Sequence, residues 1–138
     1  MPEAARKFDM PAALKNIMLA YGQSDTDHEV CGLLGGTELQ AASFYPVKNI
    51  AADTASEFLM DPEQHIEAIR SMRLSGESLV GIFHTHPDSP AVPSAEDLQQ
   101  AAYPGTVYLI LSLADRAPVL KAYYYDGQKF SKELTLPD

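Results

Sequence analysis

The chain has 138 residues, 46% of them hydrophobic, and a formal net charge of -9, a size at which one domain buries a core without covalent staples. Its single cysteine rules out an intramolecular disulfide framework, and no apolar run is long enough to suggest a secretory leader or a membrane span. By these features residues 1–138 read as a single cytoplasmic domain, and the acidic balance argues against nucleic acid as a partner.

Asp9-Met10-Pro11 has the form of a helix start with Asp9 as cap, and Leu14, Ile17, Met18 and Tyr21 recur at helical spacing, predicting a first helix from about Pro11 to Tyr21. The polar stretch from Gly22 to Asp27 ends it. A strand is expected through Val30, Cys31, Leu33 and Leu34, with Gly35-Gly36 turning the chain into a second strand within Leu39 to Val47. Cys31 reads as a small core residue and His28 as a surface one. Asn49 to Glu57 reads as loop and Phe58-Leu59-Met60 as a short strand. Asp61 as cap, Pro62 at the first helical position and Ile66, Ile69 and Met72 along one flank predict a second helix closed by Ser75-Gly76, with His65 an exposed member of it.

The apolar run from Leu79 to Phe83 predicts a strand that, if it continues to His86, places His84 and His86 on one face by its period of two. Pro87, Pro90 and Pro93 then force a loop before a third helix from about Ser94 to Ala102, stopped by Tyr103-Pro104-Gly105. Thr106 to Leu113 suits a central strand. Val119 to Tyr125, Asp126-Gly127 and Gln128 to Leu136 predict a closing hairpin in which Tyr123, Tyr124 and Tyr125 serve as packing and edge residues. The order of elements gives an α/β domain, a curved mixed β-sheet flanked by helices.

His84, His86 and a carboxylate from the next element, Asp97, make a three-ligand set for zinc that leaves one position open, the arrangement of a catalytic site. A closed structural zinc site would draw on more cysteine than Cys31 alone supplies. Taken singly, an H-x-H pair also describes ordinary core or surface histidines, and Ser94-x-x-Asp97 also describes a capped helix start. Glu29, in front of an apolar strand, is either a solvated strand-end residue or a placed acid/base.

His84-Thr85-His86-Pro87, the seven residues from Pro87 to Pro93, then Ser94, two residues and Asp97 resemble the H-[S/T]-H-x7-S-x2-D signature of the JAMM (MPN+) zinc metalloproteases. Glu29-Val30-Cys31-Gly32-Leu33-Leu34-Gly35-Gly36 is similar to that family's E-x-C-G-L-L-x-G segment. The resemblance implies the MPN, cytidine-deaminase-like, architecture. It also implies Zn²⁺ held by His84, His86 and Asp97, with Glu29 as general base and then acid and Ser94 donating to the developing oxyanion. With eight residues between Asp97 and Thr106, the chain looks like the compact prokaryotic branch, which cleaves after the Gly-Gly tail of ubiquitin-like β-grasp proteins, including ThiS/MoaD-type sulfur carriers. An isopeptidase releasing a ubiquitin-like modifier from lysine, or a zinc-bearing binding module without catalysis, are the alternatives.

Overall fold

The computed structural model describes residues 7–137. In chain order the elements are α1 (Ala12–Gln23), β1 (Cys31–Thr37), β2 (Gln40–Val47), α2 (Pro62–Leu74), β3 (Ser78–His86), α3 (Ala95–Gln100), β4 (Thr106–Ser112), β5 (Val119–Tyr125) and β6 (Phe130–Leu134). The strands form one six-stranded sheet in the order β2-β1-β3-β4-β5-β6. β3 and β4 run parallel, joined through α3, and the other neighbours are antiparallel, so the sheet is mixed, with helices on its faces, as the sequence predicts.

Alternation along the strands sends side chains to two cores. On one face Leu34, Phe83, Leu109 and Leu111 pack against Leu14 and Met18 of α1; on the other Leu33, Ile82 and Tyr108 pack against Ala68 and Met72 of α2. His84 and His86 share the parity of Ile82 and so stand on the α2 face, while Phe83 and Thr85 point toward α1. There α1 presses close: a Cβ on Gly22 would lie 2.5 Å from a Leu111 methyl and 3.1 Å from a Thr85 methyl. Glycine is needed for this approach, and α1 continues through Gly22 to Gln23 rather than ending at Tyr21.

Two other boundaries differ from expectation. Gly35 and Gly36 belong to β1, and the turn falls at Glu38-Leu39, where Glu38 takes a left-handed φ of 52°. The pairing with β2 shifts register between Gly35 and Gly36, and a Cβ on Gly36 would collide with the Gln40 carbonyl; the glycine serves a bulge instead of a turn. Asp9 is not a cap either, since Pro11 occupies the N-cap position of α1 and no side chain caps it. Asp9 pairs with Gln40 and Lys7 with Thr135, just past β6, while Phe8 is fully buried between them. Residues 7–9 thus connect the β2 edge of the sheet to the β6 end. No helix among the described residues is long and apolar enough to cross a membrane.

Candidate metal centre and active site

β3 lies between β1 and β4, so both histidines sit on an inner strand and are almost fully buried. Cys31 lies opposite His84 in the β1–β3 register. One residue earlier, Thr85 N donates to Val30 O at 3.0 Å and Val30 N donates to Thr85 Oγ1 at 2.9 Å. Continuing that register places Glu29 opposite His86 on the same face. The Thr85 hydroxyl between the histidines therefore fixes the chain that delivers Glu29, a role the sequence does not reveal.

Asp97 arrives by another route. The proline loop is tied through three successive carbonyls to three strands: Ser112 Oγ of β4 donates to Ser89 O at 2.6 Å, His86 Nδ1 of β3 to Pro90 O at 2.8 Å, and Tyr123 OH of β5 to Ala91 O at 2.6 Å. Ala91 is buried against Ile110 and Tyr123. The loop ends at Ser94, which caps α3 reciprocally: Asp97 N donates to Ser94 Oγ at 3.0 Å, and Ser94 N donates to Asp97 Oδ2 at 2.9 Å. α3 is shorter than expected and has no buried residue, so the loop and cap, not packing, aim Asp97.

The three candidate ligands converge. His84 Nε2 and His86 Nε2 are 3.1 Å apart, His84 Nε2 is 3.2 Å from Asp97 Oδ1, and His86 Nε2 is 3.1 Å from Asp97 Oδ2. Asp97 turns one carboxylate oxygen to each histidine, and with one donor atom taken from each residue the three lie within 4.8 Å of one another, a spacing compatible with a tetrahedral ion, whose ligand atoms at bonds of about 2.0–2.1 Å sit roughly 3.3 Å apart. Because His86 Nδ1 donates to Pro90 O, a neutral His86 presents a lone pair at Nε2, facing a carboxylate oxygen and a second imidazole nitrogen. Three electron-rich atoms aimed at one point, two of them imidazole and none thiolate, fit a zinc ion.

The same contacts also serve the protonated state of the site, in which His86 donates from Nδ1 to Pro90 O and from Nε2 to Asp97. Burial favours the uncharged carboxyl at Asp97, but hydrogen bonds from His84, His86 and Ser94 N overcome it and hold the group far below the usual carboxylate range. Burial holds His84 below its ordinary value despite Asp97, and Phe58 stacks on its ring at 4.5 Å between centroids. His84 Nδ1 has no partner among the described residues. For His86 burial pulls down, while the bonds to Asp97 and Pro90 O push up and prevail.

Glu29 is 5% exposed and its Oε1 has no hydrogen-bond partner among the described residues. Desolvation first, reinforced by Asp97 and opposed by His86, raises its carboxyl from 4.5 to about 8, leaving a group poised to gain and lose a proton near neutrality. Its main chain is clamped: Glu29 N donates to Thr54 O at 2.6 Å, and Asn49 Nδ2 donates to both Glu29 O and Glu57 O. Asn49 went unnoticed in the sequence because its partners lie eight and twenty residues away with no local pattern.

All five residues expected at the site, Glu29, His84, His86, Ser94 and Asp97, are thus brought to one end of the β1–β3–β4 ladder. His65 departs from expectation. Rather than standing free on α2, it is half-buried, with Tyr103 OH 3.0 Å from its Nε2. Both line a cleft of about 420 Å³ that also meets Phe58, Ile82 and Tyr108 and opens beside His84 and Asp97. Cys31 is fully buried, its Sγ donates to Val47 O, and desolvation pushes the thiol up to about 12, as befits the core residue expected.

Comparison with known proteins places this arrangement in a family. Residues 11–124 match the family described as prokaryotic homologs of the JAB domain. The chain is 36% identical over 114 residues to the desampylase of Haloferax volcanii, covering 81% of this chain and 79% of that one. It is 31% identical over 108 residues to the CysO-cysteine peptidase of Mycobacterium tuberculosis, covering 75% and 72%. Among solved structures, a Desulfitobacterium hafniense protein superposes with a TM-score of 0.80 at 34% identity, over 95% of this chain and 93% of that one.

Proposed function

This chain belongs to the prokaryotic homologs of the JAB domain and is a JAMM-type hydrolase, and from that premise we propose that it cleaves the amide bond after the Gly-Gly tail of a ubiquitin-like β-grasp sulfur-carrier protein in the cytoplasm, as a single-domain zinc metallopeptidase of residues 1–138. The observation that carries the reading is the convergence of His84, His86 and Asp97 within 3.2 Å of one another, beside a buried glutamate with an unpartnered oxygen. The names of the desampylase and the CysO-cysteine peptidase support the substrate class.

His84, His86 and Asp97 would hold the zinc, which when bound supplies Lewis acidity that polarises a carbonyl and acidifies water. Glu29 takes a proton from the attacking water and returns it to the departing amine nitrogen, a role typically worth about 10²–10⁴-fold. Its burial keeps bulk water from competing for that proton. Ser94 uses a hydroxyl lone pair to accept from Asp97 N, so its own O–H remains able to donate to the scissile carbonyl oxygen as negative charge develops. A Gly-Gly tail suits a narrow approach because it lies extended with no side chains to exclude.

The test is intact-mass spectrometry of a sulfur carrier bearing residues beyond Gly-Gly, incubated with native protein, with Glu29→Ala and with a chelator. Loss of the mass of those residues with native protein alone supports the assignment. An intact tail with zinc-loaded protein removes the linear-tail substrate, and a carrier linked to lysine then tests the isopeptidase alternative. Tight carrier binding without turnover of either form would make the protein a zinc-bearing binding module.

A further inference from the structure

The pairing of β1 with β2 ends just short of Glu29. Its last partners are Cys31 and Val47, and two residues further along each chain the same register sets Glu29 opposite Asn49, on the face that holds His84. There the Glu29 amide and carbonyl are taken by Thr54 O and by the Asn49 side chain in place of the β2 backbone. The Asn49 carboxamide makes four hydrogen bonds: Nδ2 donates to Glu29 O at 2.8 Å and to Glu57 O at 3.0 Å, and Oδ1 accepts from Ala51 N at 3.0 Å and from Leu59 N at 2.9 Å. Both of its protons and both of its lone pairs are used, and two carbonyls at one end with two amides at the other fix which end is nitrogen. Glu57 O and Leu59 N bracket Phe58, whose ring stacks on His84 and lines the cleft beside it. One half-buried side chain thus joins the strand end that carries the base to the segment that walls a candidate ligand.

Resting on the peptidase reading above, we infer that Asn49 is a positioning residue with two separable jobs: its nitrogen end holds Glu29 where the proton is transferred, and its oxygen end holds Leu59, and through it Phe58, as a wall of the cleft that takes the substrate. The first job acts on turnover, because Glu29 must reach the attacking water and then the departing nitrogen, and a displacement of about 1 Å costs up to about 10²-fold. The second acts on substrate affinity, because Phe58 and Leu59 both line the cleft. A primary carboxamide suits both jobs, being a copy of the peptide group that extends the strand ladder by one step after the β2 backbone has left it. Aspartate at the same place keeps an acceptor for the two amides and loses both donors, so substitution separates the two ends.

The experiment measures kcat, per bound zinc, and KM for full-length native protein, Asn49→Asp, Asn49→Ala, and each of these combined with Glu29→Gln, on a carrier bearing residues beyond Gly-Gly and on a lysine-linked carrier. Asn49→Asp should lower kcat by about tenfold with KM near native. Asn49→Ala should lower kcat as much and also raise KM several-fold. In the Glu29→Gln background neither substitution should lower kcat by more than about twofold, because the group they position is already gone. Amide exchange without substrate gives the second readout: Ala51 and Leu59 should stay protected in Asn49→Asp and exchange faster in Asn49→Ala. A kcat per zinc that is native in Asn49→Ala, or that falls as far in the Glu29→Gln background as in the native one, overturns the inference and leaves the peptidase reading intact, since an asparagine that merely supports the fold lowers the unfolding midpoint and does no more. Native protein that cleaves neither substrate removes that reading, and the inference with it.

Discussion

The two halves of the candidate metal centre are held by opposite means. His84 and His86 ride on a strand whose neighbours on both sides supply a backbone ladder, so their positions follow from sheet register. Asp97 sits on a six-residue helix that buries nothing and depends on four side-chain contacts: Ser112 to Ser89 O, His86 to Pro90 O, Tyr123 to Ala91 O, and the cap at Ser94. A ladder of amide bonds gives precision cheaply and cooperatively, whereas a loop reaches it only if side chains from several strands each satisfy one of its carbonyls. The loop-borne ligand is accordingly the more vulnerable one.

The largest effects come from removing a ligand. His86→Ala and Asp97→Ala should each abolish zinc binding, measured by metal content, and turnover with it. They should differ in the loop: His86→Ala also frees Pro90 O, so amide exchange over residues 87–94 should rise there and stay closer to native in Asp97→Ala. Equal exchange in the two would refute the strand's hold on the loop. Next comes Glu29→Gln, which should keep zinc and lower kcat by about 10²–10⁴-fold. Because the ionised carboxylate is the form that accepts a proton, kcat/KM in the native protein should rise with pH. Its inflection should fall between 4.5 and about 8, the cation drawing Glu29 down from its desolvated value. That limb should vanish in Glu29→Gln.

Ser94→Ala follows, costing about 1 kcal/mol of stability for the lost cap and about 10²-fold in kcat for the lost donor. A fall in stability with kcat unchanged would confine Ser94 to capping. The smallest effect belongs to Tyr123→Phe, which removes one hydrogen bond to Ala91 O, about 1 kcal/mol by urea unfolding, and should weaken zinc binding by about tenfold. If unfolding shifts and zinc affinity does not, Tyr123 supports the sheet and not the site.

The contrast also explains what could be read from the chain. The histidines, their shared face and the capped start at Ser94 are local patterns, with a period of two on β3 and a three-residue spacing at the cap, and they emerge from the sequence directly. The α/β order is legible for the same reason, since hydrophobic periodicity marks each long element. Tyr123 and Ser112 act on partners 32 and 23 residues away, and no local pattern distinguishes a tyrosine that holds a loop from one that fills a face. His65 looked exposed because helical spacing places it off the apolar flank of α2, and only Tyr103, 38 residues on, covers it. Asp9 looked like a cap because Asp followed shortly by Pro is a common helix entry, but its backbone is taken by β2 instead.

Residues 7–9 carry a consequence for solution behaviour. Asp9 N donates to Leu39 O just before β2 and Asp9 O accepts from Ala41 N within it, and Phe8 N takes Thr135 O beyond β6. One three-residue strip thus blunts the sheet at both of its outer margins, where unpaired amides would otherwise offer a template to another molecule. Trimming it should increase self-association through the exposed strand margins, measured by the change in sedimentation relative to the untrimmed chain.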